Sequence, residues 1–151
     1  MDLRRLAFAV VPVVAAAGLG GLASRDAPQT YGRLRKPGWA PPAAAFGPVW
    51  SGLYAGTTIA GWLMYPHSSR PTKGLHLAQL ALNGAWPATF FGVRDKRSSL
   101  VVITVLDAVL AAEIAALRRE APAAAALLTP YLAWTGFATA LIAAVSEPDE
   151  V

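Results

Sequence analysis

The chain has 151 residues, 55% of them hydrophobic and 15% charged, with a formal net charge of +4. Soluble domains carry about 25% charged residues, so the composition argues for an integral membrane protein, and its long unbroken apolar runs argue against the roughly ten-residue alternation of a β-barrel. With 0 cysteines there is no disulfide framework and no thiolate metal site, and the basic residues fall in short clusters between apolar runs, as membrane proteins place them, so no nucleic-acid partner is expected.

The first apolar segment covers residues 6–23 behind Arg4 and Arg5. A charged start, an apolar centre and small residues near its end also fit a cleavable signal peptide, but the run is long enough to be retained as a spanning helix. A long loop follows to residue 45, carrying Arg25, Arg33, Arg35, Lys36 and several prolines. Each Pro fixes its own φ and pushes the residue before it toward extended structure, so this loop is expected to be shaped rather than slack. The second segment, residues 46–65, contains no charged residue and is long enough for a hydrocarbon core of about 30 Å. The third, residues 75–91, contains Pro87, where a kink or an early end is expected. The fourth spans residues 98–117 and the fifth residues 122–146, with Pro122 suited to a first helical turn. The acidic tail, residues 147–151, is expected to be disordered. The expected fold is an all-α membrane protein, a bundle of five transmembrane helices with a long structured first loop. Lys and Arg divide almost evenly between alternate links, so they do not set the orientation.

The polar residues of the third segment lie on one helical face: His76, Gln79, Asn83 and Trp86. In hydrocarbon such a face must turn inward, toward other helices or a ligand. Trp50, Tyr54, Thr57 and Gly61 share a face of the second segment, and Tyr131, Trp134, Ala138 and Leu141 a face of the fifth. Three such stripes facing one another would enclose an aromatic cavity suited to a flat, largely apolar ligand. Trp50 and Trp134 lie about one turn inside their segments, so they fit equally well as anchors at the bilayer interface. Asp107 and Glu113 of the fourth segment point to different faces and make no acid–base pair. Glu113 is near enough to the helix end to reach Arg118 or water, which leaves Asp107 as the acid to watch. Gly52 and Gly56, and Ala81 and Ala85, permit close helix contact within a subunit or in a homodimer. No Ser/His/Asp arrangement, phosphate-binding glycine loop or metal-ligand spacing occurs.

Four blocks occur in order: KPGWAPP from Lys36, FGPVWSGLY from Phe46, QLALNGAWPATFFG from Gln79 and LLTPYLAWTGFATAL from Leu127. In these the chain resembles the TspO/MBR family of bacterial tryptophan-rich sensory proteins and the mitochondrial translocator protein. The resemblance implies a five-helix membrane bundle, often dimeric, that binds porphyrin or haem and, in some members, cholesterol. It implies no required cofactor. It makes Trp39, Trp50, Asn83, Trp86 and Trp134 pocket residues beneath the first loop. Trp50 and Trp134 match tryptophans linked in some relatives to light-dependent porphyrin breakdown. Thr30 and Ser98 stand where some relatives carry further tryptophans, and Leu141-Ile142 where Leu-Asn is usual. The end of the fifth segment lacks the tyrosine and basic residue of the cholesterol motif in animal relatives. The loose motif fits Leu63, Tyr65 and Arg70, but its reverse fits Arg5, Phe8 and Val10 as readily, so it gives no ground for cholesterol as a partner. The reading is therefore a multi-pass membrane protein that binds a tetrapyrrole at Trp39, Trp50, Tyr54, Asn83, Trp86, Tyr131, Trp134 and Ala138, surrounded by membrane lipid, with a sensory, regulatory or transport role. The alternatives are an enzyme that degrades porphyrin in light and oxygen, and a small membrane partner or assembly factor.

Overall fold

A computed structural model describes residues 1–92 and 95–146. Six α-helices occur among the described residues: α1 Leu3–Ala23, α2 Ala27–Arg33, α3 Phe46–Met64, α4 Arg70–Pro87, α5 Lys96–Glu120 and α6 Pro122–Ala144. This corrects the count of five segments. The additional helix is α2, seven residues long with Pro28 in its first turn, where a proline is pre-set for helix because the missing N–H would be unsatisfied anyway. The described residues form no strand, only one isolated bridge between Arg35 and Ser146. The acidic tail from residue 147 lies outside the described residues.

The helix bounds follow local chemistry. Asp2 caps α1 by accepting from the N–H groups of Arg4 and Arg5. Ser69 caps α4 by accepting from Thr72 N–H, so this helix begins at Arg70 instead of at the apolar run from residue 75. Asp95 caps α5 by accepting from Arg97 N–H. At the C-terminus of α6, the Lys96 ammonium donates to the carbonyls of Ala143 at 3.0 Å and Val145 at 2.7 Å, satisfying acceptors that the helix leaves open. After Pro87, where a kink was expected, α4 passes into a π-helical turn, Ala88–Gly92.

The long helices close a ring: α1 packs on α3 and α4, α3 on α6, α6 on α5, and α5 on α4. Two close crossings position α1. Ala9 sits against Gly61 of α3, and Ala16 against Gly84 of α4. Helices α1, α5 and α6 are long and apolar enough to cross a membrane. Helix α3 is diluted by Gly, Thr, Trp and Tyr, and α4 carries its polar stripe inward. Outward faces of the helices present Val11, Val14, Leu19, Ile59, Val101 and Val105, as a lipid-facing surface would.

Candidate functional site

The inward stripe on α4 is real. His76 and Gln79 are 0% exposed, Asn83 1% and Trp86 8%. Polar side chains so buried need partners, and three helices supply them. Tyr54 Oη donates to Asn83 Oδ1 at 3.0 Å. Asn83 Nδ2 donates to Tyr131 Oη at 2.6 Å, and Tyr131 Oη donates to Gln79 Oε1 at 2.9 Å. This chain ties α3, α4 and α6 together at mid-bundle.

Above it, toward the first loop, lies a cavity of about 350 Å³, within the range of about 300–1,000 Å³ usual for small-molecule sites. Trp50 and Tyr54 of α3, Trp86 of α4, and Trp134 and Ala138 of α6 line it. Asn83 and Tyr131 lie one layer deeper and hold the floor through Tyr54. Trp39 does not line the cavity. It is 52% exposed, and its ring meets Phe137 edge-on at 5.6 Å, with Phe137 in turn 5.4 Å from Trp134. It buttresses the wall from outside. None of the described lining residues is charged.

Several lining residues were not singled out from the sequence. Phe46 and Phe91 complete the aromatic wall, Tyr31 closes the top, and Ala17, Gly20 and Gly21 of α1 form a smooth side. Phe46 could have been found: it opens the same uncharged segment as Trp50, one turn away. The α1 residues carry no signal, because small residues in an apolar helix look alike whether they face lipid or a cavity. Since α1 forms this wall, cleavage of that segment would leave the cavity open on one side.

The first loop is fastened at three points. Tyr31 Oη donates to Pro41 O at 2.6 Å. The Lys36 ammonium donates to Tyr31 O at 2.7 Å and Leu34 O at 3.1 Å, closing the end of α2, and sits 4.7 Å from the centre of the Tyr31 ring. Arg35 and Ser146 exchange backbone hydrogen bonds at 2.9 and 3.1 Å. Burial pushes the Tyr31 phenol above its ordinary range, so it stays a neutral donor. The shaped loop is thus a cover over the cavity.

The two acids inside α5, Asp107 and Glu113, each have one oxygen partnered. Asp107 accepts from Thr139 Oγ1 at 2.6 Å across to α6. Glu113 reaches neither Arg118 nor water: it is 0% exposed, and its Oε1 lies 2.5 Å from His76 Nδ1. The helical register turns it inward onto the α4 stripe. Among the described residues no cluster of metal-binding side chains occurs.

An all-helical bundle with apolar outer faces, spanning-length apolar helices and an uncharged aromatic cavity at one end defines a helical membrane protein. Comparison with known proteins names the particular kind. The TspO/MBR family matches residues 8–147, and the chain belongs to that family. It is 40% identical to the human translocator protein over 117 residues, 74% of this chain and 69% of that one. It is 31% identical to the tryptophan-rich protein TspO of Archaeoglobus fulgidus over 145 residues, 93% of this chain and 94% of that one. A tryptophan-rich sensory protein of Cereibacter sphaeroides is 33% identical over 128 residues, 84% of this chain and 80% of that one.

Proposed function

We propose that this protein is a multi-pass membrane receptor or carrier for a tetrapyrrole, porphyrin or haem, bound in the cavity beneath the first loop. The observation that carries the reading is the cavity itself: its described lining is uncharged and includes Trp50, Trp86, Trp134, Phe46 and Phe91 on converging helices. A flat conjugated ligand gains offset-stacked and edge-to-face contacts there, worth about 0.5–1.5 kcal/mol per aromatic pair beyond burial. The indole N–H of Trp134 is buried without an acceptor among the described residues, and an acceptor on a bound molecule would satisfy it. The protein needs no resident cofactor; the porphyrin is its ligand. In this reading α1, α3, α4, α5 and α6 all cross the bilayer. Helices α3 and α4 do so despite their lower hydropathy because their polar groups face the ring's interior. Ala81 and Ala85, both exposed on the outer face of α4, give a homodimer a close-packing surface.

The test is protoporphyrin added to the protein in detergent while tryptophan fluorescence is followed. Quenching should saturate, and Trp50→Phe combined with Trp134→Phe should weaken binding about tenfold, from two smaller rings and a lost indole donor. Unchanged affinity in that double variant would sink the assigned cavity. The same titration under illumination separates binding from breakdown. A bound porphyrin shifts its main absorption band, whereas an enzyme bleaches it faster than free porphyrin bleaches.

A further inference from the structure

The His76–Glu113 pair lies outside the cavity, and nothing in the proposed binding role uses it. Both residues are 0% exposed, and Nδ1 and Oε1 are 2.5 Å apart. Their other polar atoms, His76 Nε2 and Glu113 Oε2, are buried without a hydrogen-bond partner among the described residues. The groups packed around the pair bring no compensating charge. Helix α1 contributes Phe8, whose ring centre is 5.2 Å from the imidazole, while Arg5 is turned away onto the Trp62 carbonyl and ring. Helix α3 contributes Gly61, so close that a Cβ there would lie 3.3 Å from His76 Nε2. On α4 itself, Lys73 is directed to the Tyr65 ring. Helix α6 brings Tyr131, whose hydroxyl is engaged with Asn83 and Gln79. On α5, Asp107 is engaged with Thr139.

A buried ion pair repays its desolvation only when further hydrogen bonds satisfy the remaining lone pairs and protons. Here they do not. The arrangement that avoids two poorly solvated charges is a carboxylic acid hydrogen-bonded to a neutral imidazole. Its proton sits on Glu113 Oε1 and is donated to His76 Nδ1. Removing that proton would leave a carboxylate in the bundle core, and adding another would leave an imidazolium.

We propose that His76 and Glu113 form a proton-binding site in the bundle interior, linked to the cavity by the hydrogen-bonded side chains Gln79, Tyr131, Asn83 and Tyr54. The link half of this proposal rests on the ligand-binding reading above. Gln79 lies one turn from His76 on the same face, and its Nε2 is a buried donor with no partner among the described residues. The other end of the chain, Tyr54, lines the cavity. A ligand that competes for the Tyr54 hydroxyl re-orients Asn83 and Tyr131, changes what Gln79 can offer, and so changes the surroundings of the pair.

Infrared spectroscopy of the protein in phospholipid vesicles at neutral pH tests both halves. Exposed carboxylates are ionised there and give no carboxylic-acid C=O stretch. The wild-type protein should show one that moves on ¹³C-glutamate labelling, disappears in Glu113→Gln and persists in Asp107→Asn. Absence of a ¹³C-glutamate-sensitive band would overturn the proton site and make the pair an ordinary ion pair; the labelling decides this even if Glu113→Gln does not fold. Addition of protoporphyrin should shift the band, and Tyr131→Phe should keep the band but lose the shift. A band that ignores bound porphyrin, or a shift that survives Tyr131→Phe, overturns the link. If protoporphyrin does not bind at all, the ligand reading and the link both fail, while the band still decides the proton site.

Discussion

Tyr131 is the residue on which the polar interior turns. Its hydroxyl accepts from Asn83 and donates to Gln79, and it is 2% exposed. Tyr131→Phe removes one oxygen and orphans two buried groups at once. Each unsatisfied group costs about 1–3 kcal/mol, so a thermal melt in detergent should show a clear loss of stability. Tyr54→Phe removes only the bond to Asn83 Oδ1, beside a cavity, and should cost less. A Tyr54→Phe variant that melts below Tyr131→Phe would contradict this ordering. At this scale the sequence was informative up to a point. Helical periodicity alone turned His76, Gln79, Asn83 and Trp86 inward, because polar groups on one face have nowhere else to go in hydrocarbon. It could not pair His76 with Glu113, 37 residues away. That contact depends on how far α5 slides along α4, which no local pattern encodes. Trp39 shows the opposite limit: its motif resembles that of pocket proteins, yet its side chain buttresses the wall from outside.

At the scale of elements, helix contacts decide which small residues matter. A Cβ at Gly61 would lie 3.1 Å from Ala9 Cα, and one at Gly84 would lie 3.3 Å from Ala16 Cα. Ala9 and Ala16 are two turns apart on α1, so these two glycines set how closely it lies in the ring. Gly61→Ala should destabilise by about 1–3 kcal/mol, the usual cost of overpacking, and Gly84→Ala by less. A Cβ at Gly52 would meet nothing within 4 Å, so Gly52→Ala should gain up to about 1 kcal/mol of helix propensity. The Gly52/Gly56 spacing therefore splits in two. A Cβ at Gly56 would lie 3.6 Å from the Leu127 carbonyl oxygen, and Gly52 faces outward. The cap of α5 adds a pH dependence. Hydrogen bonds from the Ser98 side chain and backbone, then from Arg97 N–H, hold the Asp95 carboxyl below its ordinary value of 3.8. A depressed folded value means a contribution that is complete above 3.8 and lost as pH falls through the lower one. Melting temperature should fall in acid for the wild type. Asp95→Asn keeps an N-cap but should remove this part of the fall; an identical acid profile would exclude the cap as its source. Of the elements, the five apolar segments were legible because each is a long run bounded by charged or proline-bearing links. Helix α2 was not, since seven residues among prolines and arginines give no periodicity to read. The caps at Ser69 and Asp95 moved the starts of α4 and α5 upstream for the same reason: a cap is one side chain, not a run.

For the molecule as a whole, the ring of helices places the cavity and the polar core at different depths, and that arrangement makes sense only with a defined set of crossings. If α1 and α3 to α6 all traverse the bilayer, the number of passes is odd and the termini lie on opposite sides. By length and hydropathy α1, α5 and α6 are able to cross. For α3 and α4 the case rests on packing: α3 lies between α1 and α6, α4 lies between α1 and α5, and their polar groups point to the shared interior, away from lipid. Two of the five not crossing would break the ring on both sides of α1. The chain contains 0 cysteines, so a cysteine appended at either terminus is a clean reporter. In sealed vesicles of uniform orientation, a membrane-impermeant maleimide should label one terminal variant and not the other, and both should label after the vesicles are opened. Equal labelling of the two in sealed vesicles would mean an even number of crossings. The ring would then have to be assembled with α3 or α4 outside the bilayer, and the cavity they wall would no longer be shielded by lipid.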